Sequence, residues 1–566
     1  MHIRSHHRRF YAVFFCFLFL FFLLSLRLIF IYSFRSKYLI TLAEKQHNFF
    51  TELEPRRGTI FDKNFRPQAL NIACDSLYAM PLKIKNKQIS AEKLHQILGL
   101  ESNYILERIS RNKSFIWISR KLSPDKIKKI EEENIKGLGF LRESKRCYPN
   151  KELSSHLLGF AGIDNSGLEG LELAYDRYLR GEPGWLRSMR DAKQRTVPIY
   201  EKFIPARDGY DLVLTIDEVI QFIAEYELDR VYKESRAKSA IIIIMDPYTG
   251  GILALANRPA LDLNNVGAYN KEDRRNRAVT DYFEPGSVFK IVTASAALEE
   301  GRVSLDDKFF CENGEYRVGN HVLHDHTPHA WLSFLKVISE SSNIGTTKVA
   351  QMLGPDIIYR YARRFGFGDF TGVDMPGEVQ GVLKLPSSWS KTSIGAIPIG
   401  QEVCVTALQL VNMVSAIANN GLLYKPYVVS EIRDKAGEII KKFQPQVLRR
   451  VISEETAYKM KQILADVVAE GTGRLARLSN FEVAGKTGTA QKIENGTYSH
   501  TSFIATFLGF VPVENPRIAM VVIVDDPKGT HFGGTVSAPV FKRVADKVLK
   551  YLNASENLEI VRHEIK

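Results

Sequence analysis

Seven serines in the 566-residue chain stand three positions before a lysine: Ser90, Ser110, Ser123, Ser235, Ser287, Ser333 and Ser388. Positions i and i+3 are neighbours on a helix, so such a pair can set a hydroxyl beside an amine that takes its proton when burial keeps the amine neutral. The spacing alone selects none of the seven. Ser287 differs in context, because it follows a Pro285-Gly286 turn and opens the apolar, alanine-rich run VFKIVTASAALEE, which Gly301 stops. A serine there sits at a helix N-terminus, where the dipole favours developing negative charge and a backbone N–H can face a reacting carbonyl. Lys290 would lie one turn in. Serine is equally ordinary at that place as a helix N-cap, so Ser287 by itself stays open between the two roles.

Two further groups follow in order. Ser341 and Asn343, in Ser-Ser-Asn, put a hydroxyl and a carboxamide two residues apart, suited to relaying a proton and holding a peptide amide. The same Ser-x-Asn pattern recurs at Ser110/Asn112 and Ser555/Asn557. Lys486-Thr487-Gly488 occurs once, inside VAGKTGTA, which reads as a strand. Lys486 would bind a substrate carboxylate, Thr487 and Thr489 would add hydrogen bonds, and Gly488 would leave the strand edge bare for a peptide backbone. Each feature alone has a commoner structural explanation. Ordered on a helix start, a loop and a late strand, they form the S-x-x-K, S-x-N, K-T-G signature of serine acyl transfer.

The elements that must carry these residues are legible in the hydrophobic pattern. AIIIIMDPYTGGILALANRP, from 240, reads as two apolar strands around a turn at 246–251. Helical segments dominate to about residue 470, three strand-like runs follow at 481–493, 502–512 and 517–527, and a helix at 537–552 closes the pattern. Strands first and last with helices between predict one antiparallel sheet assembled from both ends of an α/β sandwich. Upstream, 40–55 reads as a short juxtamembrane helix ended by Pro55. Residues 56–235 read as an α+β stretch with a short apolar run at 115–122 and a charged helix at 124–134; it ends, over 211–235, in a strand and a capped helix.

A chain this long implies two or more domains. Its 77 Lys and Arg against 64 Asp and Glu give +13, a diffuse excess without zinc-knuckle spacing, a basic run with interleaved aromatics or a phosphate-cradling loop, which argues against nucleic acid. Phe10 to Leu26 carries no charge, and continuing through Phe34 gives 25 residues, enough for a bilayer core that needs about 20. No small-x-small cleavage site follows, so an uncleaved anchor is expected, and Arg4, Arg8 and Arg9 before it place the N-terminus inside and the remainder outside. Cys16, Cys74, Cys147, Cys311 and Cys404 show no metal-ligand cadence, and no metal is assigned.

The motifs lie in longer segments: NRAVTDYFEPGSVFK (276–290), SESSNIGTTKVA (339–350), GQEVCVTALQLVNMVSAIANNG (400–421), AGKTGTAQK (484–492) and GGTVSAPVF (533–541). Upstream stand RRGTIFDKN (56–64), GLEGLELAYDRYLRG (167–181) and LTIDEVIQ (214–221). In these segments the chain resembles a class B penicillin-binding protein, the monofunctional peptidoglycan D,D-transpeptidase family. The resemblance implies an α/β (α+β) penicillin-binding transpeptidase/serine β-lactamase-like fold, an N-terminal α+β pedestal domain and one transmembrane helix. It divides the chain into a cytoplasmic tail (1–9), an anchor (10–34), a dimerisation or pedestal domain (35–235), a transpeptidase domain (236–553) and a tail (554–566).

The resemblance also implies roles. Ser287 is the nucleophile, Lys290 the base, Ser341 the proton relay and Asn343 the positioner of the donor peptide. Lys486, Thr487, Gly488 and Thr489 form the carboxylate-binding strand, and no cofactor is needed. Expected partners are stem peptides ending in D-Ala-D-Ala with an amine acceptor, β-lactams, a multi-spanning membrane glycan polymerase and divisome proteins. GFAGIDNSGLEGLELAYD (159–176) is more similar to the septal and sporulation branch than to the elongation branch. The alternatives are an elongation-type transpeptidase, a D,D-carboxypeptidase and a β-lactam sensor. Four positions depart from the family pattern: Lys63 replaces Arg, Phe65 and Glu402 stand where glycine is usual, and Ala407 stands in place of proline.

Overall fold

The apolar runs on either side of the 246–251 turn form strands β1 (Ser239–Met245) and β2 (Ile252–Arg258) in the computed structural model, which describes residues 3–39, 48–190, 196–494 and 496–564. The three late runs form β3 (Ala484–Glu494), β4 (Thr497–Val511) and β5 (Ile518–Asp525). They join in the order β2-β1-β5-β4-β3, every neighbour antiparallel, so the chain's two ends build one sheet as expected. Every residue of β1 is buried, because helices cover both faces.

Side-chain alternation divides the core. Ile241, Ile243, Leu508 and Val521 face one way; Ile242, Ile244, Phe507 and Val522 face the other. The second face packs under α1 (Glu218–Glu234) and under the N-terminal part of the last helix, through Ile220, Leu228, Val544 and Val548. Asp217 caps α1 by accepting from the Val219 and Ile220 N–H groups at 3.0 and 3.3 Å. The first face packs under α2 (Lys290–Glu299), α3 (Asn343–Leu353), α4 (Ala407–Ala418) and α5 (Glu454–Ala469). All twelve residues of α4 are buried, three of them polar (Gln409, Asn412 and Ser415), as a mostly apolar helix inside a large core allows. The closing helix α6 runs Ala538–Glu564, longer than the expected 537–552.

By internal contacts the chain forms two compact units, residues 1–56 with 181–208, and residues 57–180 with 209–566. In the first unit, the helical segment His7–Leu39 is the one described helix long and apolar enough to cross a membrane. Its 33 residues span about 50 Å at 1.5 Å per residue, against a hydrocarbon core of about 30 Å. The juxtamembrane helix expected at 40–55 is not what forms over 48–53. Asn48–Leu53 is a strand paired with Gly184–Arg190, which pairs in turn with Thr196–Ile204. Partner strands more than 100 residues away satisfy its backbone, and that long-range pairing overrides a local helical pattern. Residues 40–47 lie outside the described residues.

In the second unit, the pedestal segments form a mixed sheet: Pro67–Ala79 pairs with Ile116–Leu122, Leu138–Cys147 and Ile60–Phe61. Ile60–Phe61 runs parallel to Asp211–Leu214, to which Val429–Arg433 and then Ile439–Lys442 are added from the C-terminal half. The apolar run at 115–122 forms the strand Ile116–Leu122, and the helix expected at 124–134 appears as Pro124–Glu132. Beneath this sheet the upstream family segments meet in a buried ion cluster. Arg57 Nε and Arg146 Nε each donate to Glu172 at 2.6 Å, and Arg57 also pairs with Asp176 at 2.6 Å. The family-divergent residues Phe65 and Glu402 have φ of +60° and +56°, the left-handed region that explains why glycine is the usual occupant.

Candidate active site

Three pieces of chain converge on the outer edge of β3. The Pro285-Gly286 turn passes through a single 3₁₀ turn, Gly286–Phe289, into α2, which leaves Ser287 half-buried on that turn and Lys290 completely buried at the first position of the helix. Glycine is required on both sides of the contact between this turn and the strand. Gly286 has φ +58°, and a Cβ there would lie 2.8 Å from the Thr489 carbonyl oxygen. Opposite it, a Cβ on Gly488 would lie 3.0 Å from both the Pro285 oxygen and Val288 Cγ1. The turn that carries Ser287 thus approaches Gly488 closely.

The second piece is the turn between helix Phe334–Ser339 and α3. Ser341 has φ +62°, rare for a residue other than glycine, and this conformation aims its hydroxyl at two lysines. Lys486 Nζ donates to Ser341 Oγ at 2.9 Å, and Lys290 Nζ lies 3.2 Å from the same oxygen. Lys290 Nζ also donates to the Ser341 carbonyl at 2.5 Å and to Asn343 Oδ1 at 2.8 Å. Lys486, from β3, donates in addition to the Thr487 carbonyl at 3.2 Å. Ser341, Asn343, Lys290 and Lys486 therefore form one connected group, adjacent to Ser287 through the first turn of α2.

The two threonines of β3 are engaged as well. Thr487 Oγ1 lies 2.8 Å from Thr472 Oγ1, and Thr489 Oγ1 accepts from the Gly533 N–H at 3.1 Å. Their side chains join β3 to neighbouring segments, and GGTVSAPVF acquires a structural role through Gly533.

Burial sets the charges. Desolvation pushes Lys290 down to about 7, with the negative charge of Asp325 acting the other way. Desolvation, and then the charge of Lys290, hold Lys486 well below the ordinary lysine range, with Glu340 acting against them. Both lysines are thus easier to deprotonate than an exposed lysine, because burial and two amines on one hydroxyl oppose a second charge.

Several residues around the site carry no motif signal. Asp325, within HVLHDHTPH, accepts from Ser342 Oγ at 2.6 Å and from the Asn343 and Ile344 N–H groups at 2.5 and 3.0 Å. Glu284 is buried just before the Ser287 turn. Its Oε1 accepts from the Glu402 N–H at 2.8 Å and from the Tyr498 hydroxyl at 3.1 Å, and burial raises its carboxyl above the usual range. The partners of Asp325 lie 17 to 19 positions away and those of Glu284 more than 100, all beyond the reach of local spacing. Among the described residues no cluster of three or more His, Cys, Asp or Glu side chains could hold a metal ion.

Comparison with known proteins agrees with this architecture. Residues 240–546 match the penicillin binding protein transpeptidase domain, and residues 52–214 match the penicillin-binding protein dimerisation domain. Stage V sporulation protein D of Bacillus subtilis is 36% identical over 529 residues, covering 92% of this chain and 82% of that protein. Peptidoglycan D,D-transpeptidase FtsI of Escherichia coli is 30% identical over 512 residues, covering 89% and 84%. Among solved structures, penicillin binding protein 3 from Mycobacterium tuberculosis complexed with aztreonam has a TM-score of 0.70 at 28% identity, over 89% of this chain and 97% of that one. The chain therefore belongs to the penicillin-binding protein transpeptidase family, in the class B branch that joins a dimerisation domain to a serine transpeptidase domain.

Proposed function

We propose that this chain is a peptidoglycan D,D-transpeptidase that cross-links stem peptides in septal cell-wall synthesis and is acylated by β-lactams. The observation that carries the reading is the Lys290–Ser341–Lys486 group beside Ser287 on the edge of β3. Ser287 Oγ attacks the penultimate D-Ala carbonyl and gives its proton to neutral Lys290. A tetrahedral oxyanion forms, held by the N–H groups of Ser287 and Thr489. The C–N bond to the terminal D-Ala then breaks, and its nitrogen receives a proton through Ser341. An amine of a second stem peptide attacks the resulting ester, forms the new amide and returns the proton to Ser287. Asn343 orients the donor peptide, while Lys486 with Thr487 and Thr489 binds the terminal carboxylate. That anion would restore the charge that burial denies Lys486 in the free site.

The septal role is supported by similarity to FtsI and to stage V sporulation protein D, and by the 159–176 segment. The arginines before the span support a single-pass anchor with the N-terminus inside and the catalytic domain outside the membrane. Residues 35–235 then serve as pedestal and 236–553 as catalytic domain, with the span and pedestal free to meet a multi-spanning glycan polymerase and divisome proteins.

Replacing Ser287 with Ala in the full chain tests the reading. The variant should melt as the parent does and take up no fluorescent penicillin; retained covalent labelling would overturn it. Transfer of the acyl group to an added D-amino acid, in competition with water, separates the transpeptidase from a D,D-carboxypeptidase.

A further inference from the structure

The loop after His321–His324 carries a carboxylate that none of the motifs includes. Asp325 takes three hydrogen bonds from the start of α3, and the groups it holds are the ones that hold the base: Asn343, fixed by its N–H on Asp325, gives its Oδ1 to Lys290. The other end of the same carboxamide donates to the His324 carbonyl at 2.8 Å, so the loop grips Asn343 from two sides.

An acid at a helix N-terminus is ordinarily a cap, worth about 1 kcal/mol. Here that position is already filled, since Ser342 Oγ accepts from the Gly345 N–H at 2.9 Å while donating to Asp325. The charge has a second effect. Lys290 faces Lys486 across Ser341, and among the described residues Asp325 supplies the negative field that reaches Lys290, whereas Glu340 acts on Lys486.

We propose that Asp325 is a positioning residue for acylation, holding the Ser341–Asn343 turn against Lys290 and presenting one negative charge to the two-lysine pocket. The proposal rests on the reading of Lys290 as the base. Asp325 favours the protonated amine, so its removal lets Lys290 lose its proton at a lower pH. The turn loosens at the same time, so the rate falls.

Asp325→Asn in the full-length chain separates this from simple helix capping, with fluorescent penicillin as the probe and the acylation rate constant measured from about pH 5 to about pH 9. The expected result is a maximal rate roughly tenfold or more lower, with the acidic limb displaced to lower pH by about one unit. Asp325→Glu, which keeps the charge but displaces it, should give a limb between those of the Asn variant and the parent. A lower rate with an unmoved limb makes Asp325 a structural cap only and overturns the proposal. If the Asn variant shows no cooperative melting, the Glu variant decides: its displaced carboxylate should give an intermediate limb, and a parental limb overturns the proposal. Labelling that persists after Ser287→Ala would instead overturn the functional reading, so the two failures are distinguishable.

Discussion

Ser341 Oγ joins two buried amines, with Lys290 Nζ at 3.2 Å and Lys486 Nζ at 2.9 Å, on a residue whose own backbone is left-handed. In the proposed mechanism this one hydroxyl is where the proton path and the carboxylate-binding lysine meet, and the first two expected outcomes follow from it.

Acylation of Ser287 should depend on pH through Lys290. The base works when neutral, and burial puts its titration at about 7, so the rate should be lost as pH falls through that value, by about tenfold per unit below it. Carboxylate binding needs Lys486 protonated, and its titration is also lowered, so a descending alkaline limb should appear below the ordinary lysine value of about 10.4. Rates with a carboxylated β-lactam across pH test both limbs; a rate that stays constant from about pH 5 to about pH 7 would remove Lys290 as base.

Ser341→Ala should cut the acylation rate constant by about a hundredfold, the lower range for a lost proton-transfer group. Melting should change little, because Ser341 is half-buried and its backbone bond to the Ile338 carbonyl remains. Stopped-flow labelling with a fluorescent penicillin gives the rate; a loss under about threefold would exclude a relay through Ser341.

In the pedestal, Glu172 is completely buried between Arg57 and Arg146. Glu172→Ala leaves two buried guanidinium groups without their shared carboxylate and should destabilise the second unit by about 3–5 kcal/mol. Denaturant melting of the detergent-solubilised chain reads this, and the acylation rate of folded protein should be unaffected.

Phe65 isolates the cost of a left-handed residue. Phe65→Gly and Phe65→Ala both lose the ring that stacks 5.0 Å from the Arg433 guanidinium, and they differ in tolerance of φ +60°. The glycine variant should be the more stable of the two by about 1 kcal/mol. Equal melting temperatures would show that the turn relaxes.

The order Ser287, Ser341, Lys486 along the chain, the apolar helix behind the first and the isolated strand around the last were sufficient to identify the acyl-transfer chemistry and the two-ended sheet. The period-2 and period-3.6 patterns that locate those elements are local properties, and burial of their apolar faces follows from them. The same local signal misread 48–53 as helix, because a strand of six residues depends on partners far along the chain. It also could not choose among seven Ser-x-x-Lys pairs without the turn and helix that surround one of them. The tertiary structure decided what no spacing encodes. It brought Lys290 and Lys486 onto one hydroxyl, set Gly488 against the Pro285–Val288 turn, bonded Thr487 to Thr472 and Thr489 to Gly533, and placed Asp325 under Asn343. Proton affinities in the site belong to this level as well. They depend on how completely each amine is removed from water and on which charge lies nearest, and both are set only when distant segments pack together.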